Sequence, residues 1–98
     1  MAAYLIARVH VTNPEAYEGY KKLAAEAIAK YDGRYLARGG RMVTLEGDEE
    51  TARVVIVAFP SLEQAKKFYD SPEYQEAKAA REGAATGHFV VVEGVAPE

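Results

Sequence analysis

The amino-acid sequence predicts a two-layer α+β domain built on an antiparallel sheet. Segments rich in β-branched and aromatic residues alternate with segments of helical periodicity in the order β-α-β-β-α-β. Capping residues stand at the predicted helix starts, at Asn13, Ser61 and Ser71. This order favours a ferredoxin-like domain, in which both helical segments cover one face of a sheet with the strand order 4-1-3-2.

The first predicted helix follows directly on the first strand, which covers residues 4–11. Pro14 suits the first helical position after the Asn13 cap, and the helix is expected to continue to about Lys30. Gly33 is expected to end it in the left-handed conformation. Apolar residues recur at helical spacing along one face, at Tyr17, Tyr20, Leu23, Ala24, Ala27, Ile28 and Tyr31.

Three further strands complete the predicted sheet. The second strand is expected in two pieces, residues 34–38 and 42–46, because the double glycine Gly39-Gly40 indicates a bulge or kink. The third strand covers residues 53–59 and the fourth residues 87–95.

The second helix is also predicted in two pieces. The first piece covers about residues 62–69, after the capping-box pattern that begins at Ser61. The second piece starts at Pro72, after the Ser71 cap, and is expected to end near Gly83.

Length and composition indicate one small domain. The 98 residues are enough for a single domain over residues 1–95, with 96–98 as a loose tail. The net charge of −3 offers no basic field to nucleic acid, and the absence of cysteine excludes disulfides and thiolate sites. No apolar run is long enough to span a membrane. We therefore expect a cytoplasmic protein with neither nucleic acid nor membrane as a partner.

Two strands with apolar residues on both faces predict a homodimer. Residues 54–59 and 89–92 offer apolar side chains to both faces of the sheet, whereas the helices cover only one face. A second copy of the same sheet face is the expected partner. The alternative is a monomer that tolerates some exposed valines, because apolar surface is common in folded proteins.

Several short motifs run through nearly the whole chain. They are Tyr17-x-x-Tyr20, Tyr31-x-Gly33-Arg34-Tyr35-Leu36-x-Arg38-Gly39-Gly40, Phe59-Pro60-Ser61, Phe68-Tyr69-x-Ser71-Pro72-Glu73-Tyr74 and Glu93-Gly94-Val95. Their combined spacing resembles the domain-of-unknown-function family numbered thirteen-thirty. The resemblance implies a dimeric α+β barrel, with relatives among cofactor-independent monooxygenases and muconolactone isomerase-like enzymes. The chain departs from the family pattern at Asp32, where a second glycine is usual.

Two arginines are candidate anion ligands. Arg38 precedes Gly39-Gly40, where a bulge would re-aim its side chain; the alternatives are a salt bridge to Glu46 or a plain surface position. Arg81 shares a helix face with Tyr74, so we expect it to be partly buried and to need an acceptor. That acceptor is either a carboxylate ligand or an acidic residue of the same chain.

Tyrosines and histidines supply the other candidates. Tyr17, Tyr20 and Tyr74 are candidates for lining an aromatic ligand pocket, although core packing is the commoner role of such residues. His10 and His88 lie on neighbouring strands of the predicted sheet, where a pair can relay a proton; two unrelated rim histidines are the alternative. Two histidines without a third ligand do not indicate a metal site.

These residues support two functional hypotheses. The first is a small dimeric enzyme, without metal or organic cofactor, that acts on a small carboxylated or aromatic metabolite held between sheet and helices. Arg38 and Arg81 would orient the anion, the three tyrosines would line the site, and His10 would transfer the proton. The alternative is a ligand-binding or stress-related dimer without turnover. A pocket with a histidine or carboxylate within hydrogen-bond reach of the ligand would favour the enzyme.

Overall fold

The computed structural model describes residues 1–95. The elements in chain order are β1 (Ala3–Val11), α1 (Pro14–Lys30), β2 (Arg34–Arg38), β3 (Arg53–Phe59), α2 (Leu62–Asp70), α3 (Pro72–Ala80) and β4 (Ala85–Glu93). The four strands form one antiparallel sheet in the order β2-β3-β1-β4. This is the predicted order 4-1-3-2 seen from the other edge, and the ferredoxin-like prediction is confirmed. The predicted loose tail, 96–98, lies outside the described residues.

The three predicted N-terminal helix caps are all present. The side chain of Asn13 accepts a hydrogen bond from the backbone N–H of Ala16 at 3.2 Å, and Ser61 accepts one from Gln64 at 3.0 Å. Ser71 separates α2 from α3, because its hydroxyl donates to the Phe68 carbonyl at 2.6 Å and accepts from the N–H of Tyr74 at 3.1 Å. One serine thus ends one helix and starts the next.

The exit from α1 differs from the prediction. Asp32, and not Gly33, adopts the left-handed conformation, with φ of 67°. Aspartate tolerates this region better than most residues because of its short polar side chain. Gly33 has a different reason to be glycine, since a Cβ there would lie 2.7 Å from a ring carbon of Phe59 and 2.8 Å from Ile28 Cγ2.

The second strand is shorter than predicted. Residues 42–46 have no regular structure and are exposed, and the bulge lies between Tyr35 and Ala37 rather than at Gly39-Gly40. The reason is the length of the neighbouring strand. The N–H of Gly39 bonds to the carbonyl of Val54 at 2.9 Å, and β3 begins only one residue earlier, so no backbone partner remains for 42–46.

The fourth strand lies two residues earlier than predicted, and β1 explains both of its ends. Ala85 pairs with Val11 at one end of the sheet, and Glu93 pairs with Ala3 at the other. The first strand therefore sets the length of its neighbour through the backbone ladder.

The two faces of the sheet have different surroundings. One face packs against all three helices and holds the core, with Leu5, Val9, Tyr17, Tyr20, Ile28, Val57, Phe59, Phe68 and Tyr74 among its buried members. The other, which we call the open face, carries Tyr4, Ile6, Arg8, His10, Val54, Ile56, Thr86, His88, Val90 and Val92 by the register of the strands. Val90 and Val92 remain 45% and 49% exposed.

Candidate ligand site

Arg81 is buried at the point where α3 meets β4. It is the C-cap of α3, and its carbonyl accepts backbone hydrogen bonds from Ala84 at 2.9 Å and Ala85 at 3.1 Å. These bonds hold the end of the helix against the first residues of β4. The Arg81 side chain is consequently packed over the sheet, and the residue is only 9% exposed.

The Arg81 guanidinium has aromatic neighbours and no anionic one. Its central carbon lies 5.5 Å from the ring centre of Tyr20 and 5.3 Å from that of Phe89. Its Nε is buried without a hydrogen-bond partner, and within residues 1–95 no carboxylate approaches it to salt-bridge distance. The expected pairing with an acidic residue of the same chain is therefore absent from the described part of the chain. Cation–π contacts offset only part of the cost of burying a charge.

Arg81 nevertheless keeps its charge. Burial lowers the pKa of its guanidinium, but the neighbouring hydroxyls of Tyr74 and Tyr20 raise it. The pKa of Arg81 therefore lies above its usual value. A charged, nearly buried donor fork is thus held in place before any ligand arrives.

The three predicted tyrosines lie together beside Arg81. The hydroxyls of Tyr20 and Tyr74 are 3.0 Å apart, and the rings of Tyr17 and Tyr20 have centres 5.1 Å apart. Burial, followed by the charge and hydrogen bond of Tyr74, raises the pKa of Tyr20 far above its usual value, and burial also raises that of Tyr17. These phenols are therefore neutral hydrogen-bond donors near pH 7. All three line a small cavity of about 30 Å³ in the core.

A groove of about 920 Å³ runs between α3 and β4, with Arg81 in its wall. Lys78 adds a second cation, Phe89 and Tyr69 provide aromatic surface, and Glu82 lines the same groove. A volume of this order accommodates a small metabolite. The remaining lining residues are Leu5, Gln75, Ala79, Gly83, Ala85, Thr86, Gly87 and Val91.

Arg38 does not join Arg81. It lies on β2, where its guanidinium carbon stacks 4.5 Å above the ring centre of Tyr35. Three strand spacings separate its position from Phe89 on β4, or roughly 14 Å at the usual spacing of strands. Within residues 1–95 it forms no salt bridge, so the suggested pairing with Glu46 is not present there.

His10 and His88 lie on the open face. His88 pairs with Arg8 and His10 with Thr86, so the two histidines are diagonal neighbours on adjacent strands, as expected from the strand order. Both imidazoles therefore lie on the opposite face of the sheet from Arg81, and neither lines the groove. The predicted proton-transfer residue is therefore not in the same place as the predicted anion ligands.

Sequence reasoning missed three residues near these sites. Phe89 was noted only as an apolar strand residue, although its spacing from Val91 places both on the helix-covered side. Lys78 is three residues before Arg81, a spacing that predicts a shared helix face. Arg53 alternates with Val55 and Val57, which predicts that it too points toward the helices.

The described part of the chain contains neither a cluster of metal ligands nor a helix that could span a membrane. Among residues 1–95, no three histidine, aspartate or glutamate side chains gather where they would hold a metal ion. No helix in the same range has the length and apolarity needed to cross a membrane.

Solved structures with the same fold have low sequence identity to this chain. A protein of unknown function from Rhodopseudomonas palustris has a TM-score of 0.73 and 21% identity, over 98% of this chain and 84% of its own. SnoaB, a cofactor-independent oxygenase from Streptomyces nogalater, has a TM-score of 0.69 and 14% identity, over 98% of this chain and 95% of its own. A dimeric protein of unknown function with a ferredoxin-like fold from Bacteroides fragilis has a TM-score of 0.61 and 18% identity, over 95% of this chain and 96% of its own. At these identities the likeness establishes the fold alone.

Among curated proteins, none matches this chain. The model of the family described as a domain of unknown function, DUF1330, matches residues 2–95. This range includes every strand and helix of the fold and every motif on which the resemblance was based. The chain therefore belongs to the DUF1330 family.

Proposed function

We propose that this protein binds a small aromatic carboxylate in the groove between α3 and β4, and acts on it as an enzyme without metal or organic cofactor. One observation carries the proposal. Arg81 is a charged, nearly buried residue without an anionic partner among residues 1–95, and it lies in the wall of a groove large enough for such a ligand. A buried cation of this kind is most stable when an anion pairs with it.

The groove surfaces support an aromatic carboxylate in particular. A guanidinium offers a planar pair of donors that matches the two oxygens of a carboxylate. Phe89, Tyr69 and Val91 provide apolar and aromatic surface for the body of the ligand, and Lys78 supplies further positive charge.

The fold and three side chains support the enzymatic part of the proposal. SnoaB, which shares the fold, is described as a cofactor-independent oxygenase. Glu82 lines the groove and is a carboxylate that can accept a proton from a bound ligand. Tyr20 and Tyr74 supply hydroxyls next to Arg81, which can donate to an oxygen that gains negative charge.

We also propose that two copies associate through their open faces. Val90 and Val92 are about half exposed there, beside Ile6 and Ile56, and nothing among residues 1–95 covers this apolar surface. The neighbour from Bacteroides fragilis is described as dimeric, which agrees with such an assembly.

A ligand-binding protein without turnover is the second candidate. The observation that favours it is the position of His10 and His88 on the open face, because no imidazole then faces the groove among the described residues. Glu82 remains as the carboxylate that lines it.

Calorimetric titration with benzoate and with uncharged benzamide tests the binding proposal. Benzoate should bind and benzamide should not, because the two differ only in the group that meets Arg81. Arg81→Gln should lower the affinity for benzoate by about tenfold or more, as expected for loss of one charge-assisted hydrogen bond. Arg41→Gln removes the same charge from an exposed loop and should change affinity little. Equal affinity for both compounds, or unchanged affinity in Arg81→Gln, would contradict the proposal.

A separate measurement distinguishes the two functional candidates. Hydroxylated benzoates that bind should be incubated with the protein while dissolved oxygen and products are followed by electrode and mass spectrometry. Product formation that disappears in Glu82→Gln supports the enzyme. Binding without any product over a range of such compounds supports the protein without turnover.

A further inference from the structure

Apart from Arg81, a pair of guanidinium groups lies on the helix-covered side of the sheet, at Arg38 and Arg53. The bulge in β2 is what brings Arg38 there. Arg34 pairs with Ala58 and belongs to the open face, and strict alternation would place Arg38 on that face as well. The register shift between Tyr35 and Ala37 instead pairs Arg38 with Val55, which faces the helices.

Gly39 lets Arg53 lie close to β2. Gly39 has φ of 66°, a conformation that side chains rarely adopt, and a Cβ at this position would overlap the Arg53 guanidinium. The Gly39 N–H remains bonded to Val54, so the backbone of β2 stays against β3 at this point. The Arg53 side chain thus passes directly over a glycine, beside the position of Arg38.

Aromatic rings are neighbours of both arginines. Arg38 stacks on the ring of Tyr35. Burial raises the pKa of Tyr35, whereas the charges of Arg38 and Arg53 both lower it, which indicates that both guanidiniums lie near that ring. Arg53 acts in the same way on Tyr17. The Nε of Arg53 is buried without a hydrogen-bond partner, and within residues 1–95 no carboxylate forms a salt bridge with either arginine.

We propose that Arg38 and Arg53 form a second anion-binding site, which takes a doubly charged oxyanion. Two neighbouring cations repel each other, and an anion of charge −2 placed between them removes the repulsion and offers an acceptor to the unpartnered Nε–H of Arg53. A phosphate and a small dicarboxylate share this chemistry. Because Tyr35 holds Arg38 by stacking, the donor edge of its guanidinium is presented to the ligand in advance.

This second site is separate from the groove and does not depend on the proposed function. Val9 pairs with Arg53 on one side and with Gly87 of the groove on the other. Two strand spacings, roughly 10 Å, therefore separate Arg53 from the groove strand. Tyr17 is influenced by both guanidiniums, since Arg53 and Arg81 each oppose the rise in its pKa that burial causes.

NMR of the arginine Nε–Hε groups tests the proposal directly, with inorganic phosphate and malonate as probes and sodium chloride at equal ionic strength as the reference. Both probes bring the required charge, and we expect at least one of them to shift the Arg53 signal in a saturable way. The Arg81 signal should move much less. If only phosphate shifts the Arg53 signal, the natural ligand is a phosphate. If only malonate shifts it, the natural ligand is a dicarboxylate.

Variants supply the second arm of the test. Arg38→Gln should lower the affinity of the active probe by about tenfold or more. Arg38 is exposed, so its replacement should leave the fold intact, whereas Arg53 is half-buried and is left unchanged. Arg41→Gln, two residues beyond Gly39, controls for loss of net charge and should lower the affinity less than twofold. Shifts no larger than those from sodium chloride, or equal affinities in Arg38→Gln and Arg41→Gln, would overturn the proposal. Neither result depends on whether benzoate binds at Arg81.

Discussion

The hydroxyls of Tyr20 and Tyr74 lie 3.0 Å apart in the core, and this contact allows a double-mutant cycle to be predicted in detail. Tyr74 is 1% exposed and Tyr20 6% exposed, so bulk solvent does not reach either hydroxyl. Replacing either residue by phenylalanine removes the hydrogen bond and leaves the other hydroxyl buried without it. We expect each single variant to lose about 1–2 kcal/mol in the free energy of unfolding.

The double variant should lose much less than the sum of the two single variants. It contains no orphaned hydroxyl, so the coupling free energy should be about 1 kcal/mol. Tyr74→Phe should be the more harmful single change, because the Tyr74 hydroxyl also neighbours Arg81 and raises its pKa. For a domain of 98 residues, each 1 kcal/mol corresponds to roughly 4–8 °C in Tm.

Urea unfolding followed by circular dichroism is the appropriate assay. Protein concentration must be held fixed, since association makes apparent stability depend on it. The m-value should stay constant while the midpoint falls. Tyr69→Phe is the control, because the Tyr69 hydroxyl makes no hydrogen bond within residues 1–95, and it should change stability by less than about 0.5 kcal/mol. Strictly additive losses from Tyr20→Phe and Tyr74→Phe would refute the reasoning.

Three further outcomes are expected. The pKa of Glu73 is about 2, below its usual 4.5, because Lys30, the helix N-terminus and Tyr31 stabilise the carboxylate. The stability that this carboxylate contributes is present above pH 4.5 and is lost as the pH falls toward 2. Glu73→Gln should therefore flatten that part of a curve of stability against pH. Val90→Asp should convert a dimer into a monomer of 10.7 kDa by light scattering, and a wild-type protein already of that mass would contradict the open-face interface. Gly33→Ala should cost about 1–3 kcal/mol by overpacking, whereas Gly40→Ala, which meets no atom within 4 Å, should be nearly neutral in the same urea assay.

The candidate site was predictable only in part, because its residues come from distant positions in the sequence. Helical spacing alone predicted that Arg81 would be buried near Tyr74, and this is what the structure contains. The absence of a carboxylate beside it within residues 1–95 depends on which elements surround α3, and no local pattern reports that. Arg38 was predicted to be re-aimed by a bulge, and it is, but the bulge lies at Tyr35/Ala37 and turns it toward Arg53 instead of Arg81.

The sequence by itself determined the element order, the helix caps and the strand order. These features depend on interactions within a few residues, such as the Ser71 hydroxyl with Tyr74, or on general rules of chain connection that hold whatever the side chains. That is why α1 begins and ends where Asn13, Pro14 and Lys30 predicted.

The tertiary structure decided everything that required knowing a partner. Residues 42–46 have strand-forming side chains, yet they form no strand because β3 begins at Arg53 and leaves them no backbone to pair with. Gly33 is required by the Phe59 ring and not by the turn. His10 lies on the opposite face from Arg81 because the strand register places it there. The sequence specifies this register only through the contacts that each face of the sheet makes. Local propensity acts over a turn or two, whereas register and proximity are fixed by packing between segments far apart in the chain.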